Sequence, residues 1–192
     1  MYQVGVLIFP AVEVLDFTGP FEALSAARDG AGRPCFSVHL IAPQRRPVEA
    51  RHGLTVQPHF SISDHPTLDL LLVPGGYGIR SMLQDEAVCT WLQRQANTVP
   101  LVGSICTGAW LLAHAGLLHG LPATTHQQGK EKLLQLDPTI QWREARFVDQ
   151  GHRITAAGVS AGIDMALHLV VRFCGLEIAR ATAAFMEYPL KA

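Results

Sequence analysis

Cys106 stands where a strand-like apolar run, Pro100 to Cys106, gives way at once to a segment of helical spacing from Thr107 onward. A thiol in that place can be a small buried hydrophobe, as free cysteines commonly are, or it can be a nucleophile. Position favours the nucleophile. At a strand-to-helix junction the first unpaired helix amides point near the sulfur, which predicts a thiol pKa below the ordinary value. The sharp turn presents the side chain as other hydrolase sheets present theirs, with small Gly108 permitting close approach and the Thr107 amide facing a developing negative charge. Cys35 lies at a strand entrance, and Cys89 and Cys174 lie in helical patterns, where packing accounts for them. No CxxC pair occurs, so the four cysteines are expected as free thiols.

A thiol that adds to carbon needs a proton carrier. Glu13 and Asp16, in the stretch AVEVLDFTGP after the first strand, are both eligible, and local chemistry does not choose between them. The structural alternative for Asp16 is to cap a helix beginning near Pro20, a task Thr18 would do equally well. The glycine turn VPGGYG, Val73 to Gly78, lacks the spacing and the Lys-Ser/Thr of a phosphate-binding loop. It is either an ordinary tight turn or a way for the amide of Gly75 or Gly76 to approach a reacting atom. His126, closing PATTH, is either a base for Cys106 or a polar end cap. Nine histidines invite a metal. Yet His114 and His119 are five apart, off a common helical face, and no HExxH or Cys-His ladder occurs, so no metal site is expected.

The elements that would position these residues alternate. Strands are expected at QVGVLIFP, FSVHLIAP, DLLLVPGG, PLVGSIC and PATTH, and at two segments of REARFVDQGHRITAAG turning at Gln150-Gly151. HGLTVQPHFSIS reads as a hairpin-like excursion that Pro58 pushes towards an edge. Helices are expected at FEALSAARDG, closed by Gly30, and at SMLQDEAVCTWLQRQAN, TGAWLLAHAGLL and GKEKLLQL. SAGIDMALHLVVRFCG, ended by Gly175, and LEIARATAAFMEY complete the set. Strands apolar throughout, alternating with helices, imply right-handed crossovers around a mainly parallel sheet in one α/β domain, residues 1–192. Sites in such sheets form beyond the carboxyl ends of the strands. That rule selects the loop after the first strand, the Gly75-Gly76 turn, the Cys106 junction and the residues after PATT.

A chain of 192 residues, 48% hydrophobic and 16% charged, can bury a sizeable core and is poorly described as disordered. A net charge of −1 argues against nucleic-acid or anionic-membrane partners. No stretch is apolar for long enough to span a bilayer, and no basic segment precedes an apolar one at the start. A cytoplasmic protein acting on a small molecule is expected.

The segments FP…LDFTGP, VPGG, SICTGAWLLAHAGLL, ATTH and AGVSAGIDMALHLV, in that order, resemble the DJ-1/PfpI superfamily over nearly the whole chain. Within it they are most similar to the branch holding isonitrile hydratases and the amidase-like N-terminal domains of AraC-type regulators. The resemblance implies a flavodoxin-like α/β sandwich with helices on both faces, commonly a homodimer, needing no cofactor. It makes Cys106 the nucleophile and selects Asp16 over Glu13 as the acid. It matches Thr107 to the threonine after the nucleophile and Gly76 to the oxyanion-side glycine. Peptidase-like relatives carry a histidine where this chain has Thr107, which disfavours a peptidase; His126 is not implied as a base. AraC-type relatives continue into a helix-turn-helix region while this sequence ends at Ala192, so an independent enzyme is expected. The implied reaction is hydration of an isonitrile to an N-substituted formamide, with Phe17, Tyr77 and Trp110 receiving the organic group. A glyoxalase- or amidase-like enzyme and a ligand- or oxidant-sensing module are the alternatives.

Overall fold

The computed structural model describes residues 1–190. Its strands are β1 (Tyr2–Leu7), β2 (Phe36–Ala42), β3 (Val48–Glu49), β4 (Thr55–Val56), β5 (Phe60–Ser61), β6 (Leu70–Val73), β7 (Leu101–Ile105), β8 (Pro122–Ala123), β9 (Gln141–Trp142), β10 (Phe147–Asp149) and β11 (Arg153–Ala156). Its helices are α1 (Val14–Ala26), α2 (Ile79–Met82), α3 (Glu86–Thr98), α4 (Gly108–His114), α5 (Lys130–Leu136), α6 (Ala161–Cys174) and α7 (Leu176–Phe185).

Seven strands form one sheet in the order β10-β11-β7-β6-β1-β2-β5. Only β10 runs antiparallel to its neighbour. Every residue of β6 and β7 is buried, which is why these strands read as unbroken apolar runs instead of alternating ones. Helices α1, α6 and α7 pack together on one face, and α2, α3, α4 and α5 adjoin one another on the other. The expected flavodoxin-like arrangement, a mainly parallel sheet between two helical layers, is the observed one. From β1 the chain builds outward to β2 and β5, then returns to the other side for β6, β7 and β11. The switch point therefore lies between β1 and β6, where the loops that leave the carboxyl ends of neighbouring parallel strands diverge and open a crevice.

Several boundaries differ from the sequence expectation. Helix α1 begins at Val14, six residues before Pro20, so Asp16 is helical and Pro20 lies inside the helix. Neither Asp16 nor Thr18 caps it: Glu13 holds the cap position without a side-chain bond, and Thr18 Oγ1 donates back to the Val14 carbonyl at 2.8 Å. The helix stops at Ala26, short of Gly30. The segment from Ser81 to Asn97 is two helices, because the Asp85 carboxylate accepts the Ala87 and Val88 amides and starts α3 anew. The excursion after β2 is a hairpin of β3 and β4, and β5 beyond Pro58 joins the sheet edge. PATTH contributes only β8, which pairs with β9 in a separate two-stranded ribbon.

Candidate active site

Ser104 of β7 pairs with Val73 of β6, so the junction after Ile105 opens beside the Gly75-Gly76 turn. Cys106 has φ of 56°, a left-handed conformation unusual outside glycine and costing on the order of 1 kcal/mol or more. Tertiary contacts hold it there. The Cys106 amide is shared between the Ala156 and Ala157 carbonyls at 3.0 and 3.2 Å, and Thr125 Oγ1 donates to the Cys106 carbonyl at 2.8 Å. Two glycines leave the necessary space. A Cβ on Gly108 would lie 1.9 Å from the Val73 carbonyl oxygen, so α4 starts this close to β6 only with glycine there. A Cβ on Gly158 would fall 3.2 Å from Cys106 Sγ and 2.2 Å from His126 Cδ2, so the sulfur and the imidazole both crowd the position that a side chain there would take.

Asp16 is fully buried beneath this junction. Oδ2 accepts the Gly75 amide at 3.0 Å, while Oδ1 has no partner among the described residues. A buried carboxylate oxygen without a donor is costly when charged. Burial accordingly pushes the Asp16 pKa up to about 7, against the opposing Gly75 bond and with a further push from the Glu13 charge. The Asp16 carboxyl and the Cys106 thiol lie close enough to interact directly, each altering the other's affinity for protons.

The thiol corrects an expectation. Its pKa is raised, not lowered: burial pushes it up to about 12 and the Asp16 charge adds to this, outweighing the Thr107 amide that favours the thiolate. One short helix's first amide acts on a sulfur that has been taken out of water and set beside an acid. Burial thus favours the protonated form of both the Cys106 thiol and the Asp16 carboxyl.

The glycine turn also differs from expectation. Neither amide is idle: Gly75 N–H is held by Asp16, and Gly76 N–H donates to Thr107 Oγ1 at 3.1 Å. The turn fixes the acid and orients the threonine, whose own hydroxyl hydrogen is left to donate elsewhere. Gly76 has φ of 131°, and a Cβ there would lie 2.5 Å from the Ala11 carbonyl oxygen.

Cys106 is 7% exposed and opens onto a cleft of about 230 Å³. Thr107, Tyr77, Trp110 and His126 line the cleft, and so does Glu13, at its rim. Glu13 accepts a 2.5 Å ion pair from Arg51, whose guanidinium also lies 4.2 Å from the Tyr77 ring centre. The Glu13 hydrogen bond holds the Arg51 pKa above its ordinary value. Thus the two acids at the start of α1 divide: Glu13, at the cap position, is tied to an arginine, and Asp16, in the first turn, adjoins the sulfur. Trp110 is anchored by its Nε1–H donating to the Gly129 carbonyl at 2.9 Å. His126 Nδ1 accepts the Gln128 amide at 3.2 Å and so caps a short turn. Phe17, expected in the pocket, is 2% exposed and belongs to the core, because the helical start of α1 turns it inward. Arg51, Arg80 and Gly158 were not anticipated. They come from a hairpin, the start of α2 and the loop after β11, far apart in sequence and without a motif. Among the described residues no three His, Cys, Asp or Glu side chains group as a metal ion requires.

The relatives of the chain agree with this architecture. It is 37% identical over 186 residues to the isonitrile hydratase of Pseudomonas putida, covering 97% of this chain and 78% of that one. It is 31% identical to the HTH-type transcriptional regulator GbdR of Pseudomonas aeruginosa, where 97% of this chain spans 50% of the regulator. The crystal structure of a THiJ/PfpI family protein from Pseudomonas syringae superposes with a TM-score of 0.90 at 27% identity, covering 100% of this chain and 76% of that one. Drosophila melanogaster DJ-1beta gives a TM-score of 0.85 at 21% identity, covering 98% of each chain, a likeness of fold. The DJ-1/PfpI family pattern matches residues 2–172, and the chain belongs to that family.

Proposed function

We propose that the protein hydrates an isonitrile to an N-substituted formamide, with Cys106 as nucleophile and Asp16 as proton carrier. The observation that carries this is the buried acid–thiol pair: Asp16, with its pKa raised to about 7, adjoins a thiol that is protonated at neutral pH. A carboxyl whose pKa lies near neutrality exists in both forms, so it can receive the thiol proton as sulfur bonds to carbon and give that proton up again. The terminal carbon of an isonitrile accepts both a proton and a nucleophile, which is what such a pair can deliver to one atom.

In the first half, the Asp16 carboxylate takes the Cys106 proton and passes it to the isonitrile carbon as sulfur bonds to that carbon, giving the thioimidate R–N=CH–S. In the second, water adds its oxygen to the same carbon, its proton passing through Asp16, while nitrogen gains a proton. Collapse of R–NH–CH(OH)–S breaks the C–S bond and returns the hydroxyl proton to sulfur, releasing R–NH–CHO and the thiol. One water is consumed and no electrons are exchanged, so the steps balance with the thiol, the carboxyl and water alone. The Thr107 amide supports negative charge on sulfur, and Tyr77 and Trp110 offer aromatic walls to the substituent. The 37% identity to an isonitrile hydratase across most of both chains supports this choice over carbonyl or amide substrates.

A second reading rests on the 31% identity to a transcriptional regulator: the same cleft binds a ligand, or its thiol meets an oxidant, without turnover. Purified protein given p-nitrophenyl isocyanide, methylglyoxal and simple amides separates these. Formamide formation lost in Cys106→Ala and Asp16→Asn is the expected result. Methylglyoxal turnover alone would assign a glyoxalase-like enzyme, and no turnover with peroxide modification of Cys106 would assign a sensor.

A further inference from the structure

One of the two arginines that line the cleft above Cys106 has no ion-pair partner among the described residues. Its charged side chains are Glu13, Arg51 and Arg80. Glu13 and Arg51 are paired with each other. Arg80 takes part in none of the ion pairs among the described residues. Its guanidinium instead lies 5.5 Å from the ring centre of Trp110. That ring is itself fixed by the bond to Gly129, so the cation rests against an anchored aromatic surface. The Arg80 guanidinium makes no side-chain hydrogen bond or ion pair among the described residues, so its fork of N–H donors is available for the two oxygens of a carboxylate. Arg80 and Trp110 also border a second, larger groove of about 640 Å³, so a group at Arg80 sits where the cleft over the sulfur opens out.

We propose that Arg80 on its Trp110 platform is a carboxylate subsite, and that the substrate is an isonitrile whose organic group bears a carboxylate. This deepens the hydratase assignment and rests on it for the reacting group. A single unpaired guanidinium beside a small cleft fits a monoanion, and its planar fork of N–H donors suits the two oxygens of a carboxylate.

The test uses binding, so that it does not depend on turnover. 4-Formamidobenzoate and its methyl ester are titrated calorimetrically into wild type, Arg80→Gln and Arg80→Lys. Wild type is expected to bind the carboxylate at least about tenfold more tightly than the ester, the scale of one hydrogen-bonded charge pair. Arg80→Gln should bring that ratio close to one, Arg80→Lys should retain part of it, and added salt should shrink it in wild type. Equal affinities in wild type, a ratio unchanged in Arg80→Gln, or no binding of either compound overturns the subsite. Hydration of 4-isocyanobenzoate and of its methyl ester is assayed in parallel. Turnover without carboxylate preference removes the subsite and leaves the reaction, whereas preference without turnover removes the reaction and leaves an anion-binding cleft.

Discussion

The amide of Gly75 donates to Oδ2 of Asp16 at 3.0 Å, across 59 positions of sequence. The bond ties the loop after β6 to the first turn of α1, at the crevice where the sheet changes its direction of growth. It leaves the other carboxylate oxygen without a hydrogen-bond partner among the described residues, and the carboxyl interacts with the Cys106 thiol. The proposed proton exchange between acid and sulfur rests on that arrangement.

Asp16→Asn keeps the shape and an acceptor for the Gly75 amide but carries no proton. We expect kcat for isocyanide hydration to fall by about 10²–10⁴-fold, the range for a lost general acid–base. Cys106→Ala should abolish turnover and the covalent adduct seen by mass spectrometry. An Asp16→Asn enzyme with wild-type kcat would exclude the proposed proton route.

Asp16 also makes stability depend on pH. Its folded pKa of about 7 lies above the unfolded value, so the folded state binds the proton more tightly. The contribution is fully present below about pH 4 and is lost as pH rises towards 7, amounting to about 4 kcal/mol as an upper scale. Asp16→Asn should therefore be more stable than wild type at pH 8 and near it at pH 4. Urea unfolding at both pH values measures this, and a wild-type protein whose stability rises through that interval would contradict it.

The thiol responds to the same substitution. Burial raises the Cys106 pKa first and the Asp16 charge second, so removing the charge lowers the pKa without restoring the ordinary value. The pH midpoint of iodoacetamide alkylation should move down in Asp16→Asn. An upward shift would mean that the carboxylate assists ionisation at equilibrium.

Glu13→Gln offers the contrast. Its ion pair with Arg51 shapes the rim, so KM should rise severalfold (about 0.5–1 kcal/mol, the scale of a partly exposed pair) while kcat changes far less than in Asp16→Asn. Equal losses of kcat in both variants would make Glu13 a second acid.

Gly108→Ala tests the elbow. Its methyl would sit 1.9 Å from the Val73 oxygen, a backbone atom that cannot swing away. A loss of about 2 kcal/mol or more, visible as a lower denaturation midpoint, is expected. Unchanged stability would show that α4 can retreat from β6.

The sheet and its helices were legible because buried parallel strands leave unbroken apolar runs and helices leave a periodic stripe, both local signals. Cys106 was legible for the same reason, as the residue between two such signals. The start of α1 was not. Pro20 marks a helix start by local rules, because inside a helix it removes an i→i−4 bond and its ring crowds the i−4 carbonyl; packing of α1 against α6 overrides that local preference.

The amino-acid order alone determined the α/β class, the elbow at Cys106 and the two acids eligible to serve it. Folding decided which acid adjoins the sulfur, turned Phe17 into the core and brought Arg51 and Arg80 to the rim. It also reversed the expected direction of the thiol pKa. A helix amide is a feature of local sequence, but desolvation depends on everything packed around the sulfur, and no stretch of sequence encodes that sum.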